Sequence, residues 1–262
     1  MKSRISVAPS ICLLVVFFAG LAAFGADAIR NGEGLVRGMH ARYENTWYGT
    51  TTFTQKSTTY NPDGTTKVAT WYEAASLPGK LRIDFGEPRE GNAAIIVDNT
   101  AYFFQKGKQA STRPYVNMLL VLGFDIYRQS PEATLAELKH EGIDVTEFHE
   151  EEWQGEPAYV VGAKKRDLKS KQFWVEKKRL LFVRIIEPDQ KDPNVTEDTR
   201  FTDYRRAGKA FIAARVEVYN DGKLVFTEEY TEIRTGNKLD PNIFDPAKFA
   251  TAPSSQWLVI QP

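Results

Sequence analysis

The chain has 262 residues, enough for one large β domain or two small ones with a sizeable buried core. Its 34 basic and 34 acidic side chains cancel, which argues against a nucleic-acid binder with a one-sided basic surplus. Aromatic content of 12% with only three Met suits sheets better than a helical bundle.

The first residues have the layout of an export leader. Lys2 and Arg4 precede an apolar run from Ile11 to Ala23, and small residues follow through Ala28. The run is shorter than the ~20 residues of a membrane span. Residues 1–28 are therefore expected to be a cleaved signal peptide, and 29–262 a single domain. Cys12, the only cysteine, lies inside the leader, so the mature chain is expected to form no disulfide.

From Ala28 to Asn45, Ile29, Leu35, Val36, Met39, His40 and Tyr43 fall at helical spacing and predict an amphipathic helix. Trp47 to Ser57 is a Thr-rich first strand, and Asn61-Pro-Asp-Gly64 is a turn. The stretch Lys67 to Gln105 follows as a meander of short strands, including Lys80–Asp84, Ala93–Asp98 and Ala101–Gln105. In it Leu81, Ile83 and Phe85 alternate with Arg82 and Asp84, predicting one apolar and one wet face. Tyr115 to Tyr127 is the most apolar run after the leader, and Ser130-Pro131-Glu132 opens a further helix through His140. This region is expected to be one or two helices laid over the sheet.

Strand patterning returns after Gly142. It covers Asp144–Trp153, Ala158–Ala163, Gln172–Glu176, Leu180–Glu187, Arg200–Arg206, Phe211–Tyr219 and Leu224–Ile233, with a short candidate at Trp257–Ile260. Asn220-Asp-Gly222 is a strong hairpin signal. About eleven or twelve strands at this spacing indicate a mainly β sandwich or barrel.

No catalytic constellation emerges. There is no G-x-S-x-G elbow, no glycine-rich phosphate loop and no H-E-x-x-H helix, so no catalytic residue, metal or cofactor is expected. His149 beside Glu147, Glu150, Glu151 and Glu152 reads as solvated strand edge. Alternation places Glu228 and Glu229 on opposite faces, so they cannot form an acid pair. Lys164-Lys165-Arg166 with Lys169 and Lys171 reads as a charged loop; the sharper alternative is a contact with anionic headgroups or an acidic partner.

Apolar surface remains. Phe53, Trp71, Leu81, Ile83, Phe85, Ile95 and Phe103 come from the first strands, and Phe173, Val175, Leu181 and Val183 from later ones. The helical segment adds Met118, Leu119, Leu122 and Phe124. Each is most simply a core side chain. As a set they could line a cavity between a bent sheet and a detachable helix, which would take an acyl chain at a gain of ~0.8 kcal/mol per methylene.

Several ordered motifs resemble a known family. Phe53-Thr-Gln55 after a helix, Leu77-Pro-Gly-Lys-Leu-Arg-Ile-Asp-Phe85 with Pro88, and Ile96-Val-Asp-Asn99 with Tyr102-Phe-Phe104 are similar to motifs of the LolA/LolB-like periplasmic lipoprotein carriers. Phe173-Trp-Val-Glu176, Phe201-Thr-Asp-Tyr204 and Asn237–Phe244 resemble the wider set of outer-membrane lipoprotein-sorting proteins. The resemblance implies an unclosed antiparallel barrel of about eleven strands, helices forming a lid, and a hydrophobic cavity for lipoprotein acyl chains. It implies a periplasmic, non-enzymatic monomer that meets inner- and outer-membrane partner proteins in passing. The carriers have an arginine before the third-strand proline, tying the lid by hydrogen bonds; here that position is Leu77, which predicts a lid held by apolar contact. A same-fold sensor domain binding a protein or peptide, and an envelope hydrolase, are the alternatives.

Overall fold

In a computed structural model the described residues are 29–250; the leader and the Trp257–Ile260 candidate lie outside them. The first helix, α1, runs Gly32–Tyr43 and buries Leu35, Val36, Met39 and Tyr43 on one face. Asn31 caps it by accepting the Gly34 amide through its side chain at 2.7 Å.

Six strands follow as a meander: β1 (Thr50–Tyr60), β2 (Thr66–Ser76), β3 (Lys80–Phe85), β4 (Ala93–Val97), β5 (Thr100–Gln105) and β6 (Lys108–Pro114). Asp98 and Asn99 form the two-residue turn between β4 and β5, both in the left-handed region at φ 51° and 53°. The chain then crosses over through α2 (Met118–Gly123), a 3-10 turn at Asp125–Tyr127 and α3 (Pro131–His140), whose Ser130 cap accepts the Ala133 amide. Seven strands return: β7 (Phe148–Trp153), β8 (Glu156–Val161), β9 (Gln172–Glu176), β10 (Leu181–Pro188), β11 (Thr196–Ala207), β12 (Ala210–Asn220) and β13 (Lys223–Thr235).

All thirteen strands of the described residues pair antiparallel in one sheet, β6-β5-β4-β3-β2-β1-β13-β12-β11-β10-β9-β8-β7. The first and last strands meet in the middle, while β6 and β7 end the sheet unpaired with each other, so the barrel is unclosed. The additional strand is β6. Its seven residues, Lys-Gln-Ala-Ser-Thr-Arg-Pro, are all exposed, so it carries no apolar alternation to mark it.

The main core lies between the inner face of the sheet and the helices, and includes Leu35, Met39, Phe53, Leu122, Phe173, Val175, Leu181 and Phe201. The outer face is not simply wet. Arg82 and Asp84, expected to face solvent, are 1% and 0% exposed. The C-terminal segment covers them with 3-10 turns at Pro241–Phe244 and Pro246–Lys248 and with Phe249, which stacks on Phe104 at 3.9 Å. The Arg82 guanidinium grips Asp84 through two hydrogen bonds of 2.9 and 3.1 Å, donates to the Ile243 carbonyl at 3.3 Å and lies 4.8 Å from the Phe249 ring. Such a pair survives burial because both partners remain hydrogen-bonded. A second outer cluster joins Trp153 and Trp174 to Arg184, which forks onto Asp198 at 2.7 and 2.8 Å.

Candidate functional site: a lidded cavity on the inner face

Helix α2 has the sequence Met-Leu-Leu-Val-Leu-Gly and is apolar all round, as suits a helix enclosed on most sides. Asn117 starts it by accepting the Leu119 and Leu120 amides, each at 3.1 Å. Gly123 ends it against the Phe201 ring; a Cβ there would stand 2.6 Å from Phe201 Cε2, so only glycine lets the two approach so closely.

The C-terminal end of this lid is fastened. Tyr127 stacks on Trp47 at 3.8 Å, and its hydroxyl accepts the Phe182 amide at 2.9 Å. Arg128 donates to the Trp47 carbonyl at 2.9 Å. Asp125, 2% exposed, accepts the Gly79 amide at 3.0 Å through one carboxylate oxygen, while its other oxygen has no partner. Burial pushes its pKa up to about 8, against the opposing hydrogen bond from Gly79. This corrects the expectation of a purely apolar closure. Leu77 does pack into the core, but a hydrogen bond at the same turn is supplied from the lid side by Asp125.

The other end of α2 separates two spaces. On one side Met118 and Leu119 border a cleft of about 370 Å³, rimmed by Arg113, Glu141, Lys171, Glu187 and Glu197. Burial, then Glu187 and Asp189, push Glu197 up to about 7. Lys171 of the basic loop is held here by Glu141 and Glu187 at 2.9 and 3.1 Å, so it is not free for a headgroup.

On the other side lies a cavity of about 150 Å³, lined by Phe53, Trp71, Ala75, Leu81, Ile83, Leu119, Leu120, Phe124 and Phe201, with Tyr115 and Asn117 at the lid. The cleft is larger, but its charged rim favours water. The cavity is the one of these two spaces with a mainly apolar wall, and its volume is that of a benzene-sized group.

Six of the fifteen residues singled out in the sequence line this cavity: Phe53, Trp71, Leu81, Ile83, Leu119 and Phe124. Phe85 stands beside it, edge-on to Trp71 at 4.9 Å. Met118 belongs to the charged cleft. Leu122, Phe173, Val175 and Leu181 are solid core, and Phe103 packs partly buried against that core under Arg113. Ile95 and Val183 are on the opposite face. Ile95 pairs with Arg82 and packs with Phe104 and Phe249, and Val183 packs with Trp174. A bulge between Phe182 and Arg184 breaks the alternation that would have kept Val183 with Leu181.

The cavity wall also contains polar side chains: Glu73 and Tyr230, which the sequence did not mark, and Glu228, which it weighed only against Glu229. Glu73 on β2 shares the face of Trp71 and Ala75, and Glu228 on β13 shares that of Tyr230. Tyr230 donates its hydroxyl to Glu228 and stacks on Phe53 at 4.2 Å. Burial, reinforced by the charge of Glu228, holds Glu73 well above the usual carboxylate range. Burial also raises Glu228, opposed by hydrogen bonds from Tyr230 and Gln55. Glu229 points away, toward Lys56 at 2.9 Å and Arg215 at 3.0 Å.

No protein-family model matches the chain, and no curated protein matches it. Solved structures do. A domain described as an outer membrane lipoprotein-sorting protein, from Vibrio parahaemolyticus, superposes with a TM-score of 0.57 at 16% identity, covering 84% of this chain and 98% of that one. A LolA superfamily protein of Nitrosomonas europaea gives 0.53 at 11% identity, covering 80% and 96%. The chain has a LolA-like fold. A DUF1329 family protein from Desulfovibrio piger shares it, with a TM-score of 0.56 at 16% identity and coverage of 83% and 97%. In this LolA-like fold α2 packs over the inner face of the sheet, and the cavity lies between the two.

Proposed function

We propose that the protein is a non-enzymatic periplasmic carrier that shelters acyl chains of lipids or lipoproteins beneath α2. The observation that carries this reading is the apolar cavity between Leu119, Leu120 and Phe124 of the lid segment and Phe53, Trp71, Leu81 and Ile83 of the sheet. At about 150 Å³ it takes only the end of a chain while α2 is seated, so loading requires the N-terminal half of α2 to lift. The arrangement suits that motion: the fastenings lie at Asp125, Tyr127 and Arg128, beyond the helix, while Met118 borders an open cleft. The same proposal takes residues 1–28 as an export leader and the remainder as one carrier domain that works as a monomer and visits membrane partners.

The test is co-purification. Native mass spectrometry of the protein expressed with its leader should show lipid adducts, and a fluorescent fatty alcohol should bind the delipidated protein with a blue-shifted emission. Failure of both would end the carrier reading. A second reading, a domain that binds a protein or peptide, is favoured by β6, an edge strand exposed along its whole length. It predicts that a partner peptide protects β6 amides from hydrogen exchange.

A further inference from the structure

An apolar wall needs no carboxylates, yet this one holds two. Glu73 is 7% exposed and lines the cavity, and among the described residues no group donates a hydrogen bond to it. Glu228 opens on the same space and takes hydrogen bonds from Tyr230 and Gln55. A buried polar group without a partner is costly, and two acids within electrostatic reach of each other add repulsion. The titratable groups facing the pair are Tyr230 on β13, Tyr115 beside the lid and Tyr48 before β1, with no lysine or arginine among the described residues lining the cavity. Several structural carboxylates elsewhere in this molecule are answered by cations: Asp84 by Arg82, Asp198 by Arg184 and Arg200, Glu229 by Lys56 and Arg215, whereas buried Asp125 is answered by the Gly79 amide. Glu73 and Glu228 share a wall whose other lining residues are apolar side chains, tyrosines and Asn117.

We infer that the cavity selects amphiphiles whose apolar chain carries a cationic amine, with Glu73 and Glu228 as the two acceptors for the ammonium group. The inference rests on the acyl-chain reading above and narrows it to a headgroup class. A fatty acid anion finds no cation on this wall, whereas an alkyl ammonium would supply up to three donors to Glu73 and Glu228. Burial raises both carboxyls above the usual carboxylate range, so amine binding, which uses their charged forms, tightens as pH rises.

The experiment compares displacement of a bound fluorescent fatty alcohol by dodecylamine, dodecanol and lauric acid, each below its micelle concentration. Dodecylamine is expected to displace the probe at about one tenth the concentration of dodecanol or less, the scale on which a charge-assisted hydrogen bond discriminates. Its advantage should shrink as the pH is lowered toward the ordinary carboxylate range. Glu73→Gln and Glu228→Gln, made singly and together, should bring dodecylamine down to no better a displacer than dodecanol in the same variant. Equal binding of all three ligands, or a preference for lauric acid, would overturn the inference while leaving the acyl-chain cavity standing. Failure of dodecanol itself to bind would remove both. Two further arms separate the sources of such an amine. Phosphatidylethanolamine preferred over phosphatidylglycerol assigns a lipid headgroup, a lipopeptide with a free rather than acetylated N-terminus assigns a lipoprotein, and no preference in either arm overturns the inference.

Discussion

Asp125 gives the sharpest quantitative test, because it joins the lid to the sheet and is buried with one oxygen unpartnered. Its carboxyl titrates at about 8 in the folded chain against 3.8 as the ordinary value. The unfolded chain therefore gives up this proton first as pH rises. The stability tied to the neutral form is complete below about pH 4 and is lost as pH climbs to about 8. A difference of about four units at ~1.4 kcal/mol each amounts to roughly 5 kcal/mol near pH 8. Asp125→Asn keeps the acceptor for the Gly79 amide and removes the charge. Its new NH2 group has no acceptor, which offsets roughly 1–3 kcal/mol. The net gain at pH 8 is then about 2–4 kcal/mol, or at least about 5 °C in melting temperature for a chain of this length. Near pH 4 the gain should vanish, leaving only the small cost of the amide. Thermal melts of wild type and variant across this range read the difference directly. If that difference is flat with pH, or falls as pH rises, Asp125 is not the buried acid described above.

Three further outcomes follow from the packing. Arg82→Ala should cost about 3–5 kcal/mol in denaturant unfolding, because Asp84 is left charged beneath Phe249, whereas Arg82→Met with Asp84→Leu should lie much closer to wild type. Tyr127→Phe strands the Phe182 amide and should cost about 1–3 kcal/mol while also increasing hydrogen exchange in α2. Ala75→Phe projects a ring into the cavity from β2; it should abolish binding of the fluorescent fatty alcohol and cost about 1–3 kcal/mol by overpacking. Binding retained at wild-type strength in Ala75→Phe would place the ligand elsewhere.

Much of the architecture can be read locally. Alternation and turn chemistry mark twelve of the thirteen strands of the described residues within a few residues, and the turns at Asn61–Gly64 and Asp221-Gly222 sit where the sequence predicts. The resemblance led to the unclosed antiparallel barrel that the strand order shows, and the solved structures superpose on this fold. β6 escaped because an edge strand with both faces in water needs no apolar residues.

The cavity wall was only partly legible for a different reason. Period-two patterning tells which residues share a face, but not which face turns inward or what lies over the other one. Arg82 and Asp84 read as solvent-facing until the C-terminal segment is folded back over them, and that same cover takes Ile95 out of the cavity set. Glu73 and Glu228 stand on strands near opposite ends of the chain, brought onto one wall because β1 pairs with both β2 and β13. The residue sequence alone determined the strands, the caps and an apolar lid, since those depend on neighbours a few positions away. The facing of two uncompensated acids into a greasy space was decided only by tertiary structure, because it depends on long-range closure of the sheet and on which cations that closure leaves out of reach.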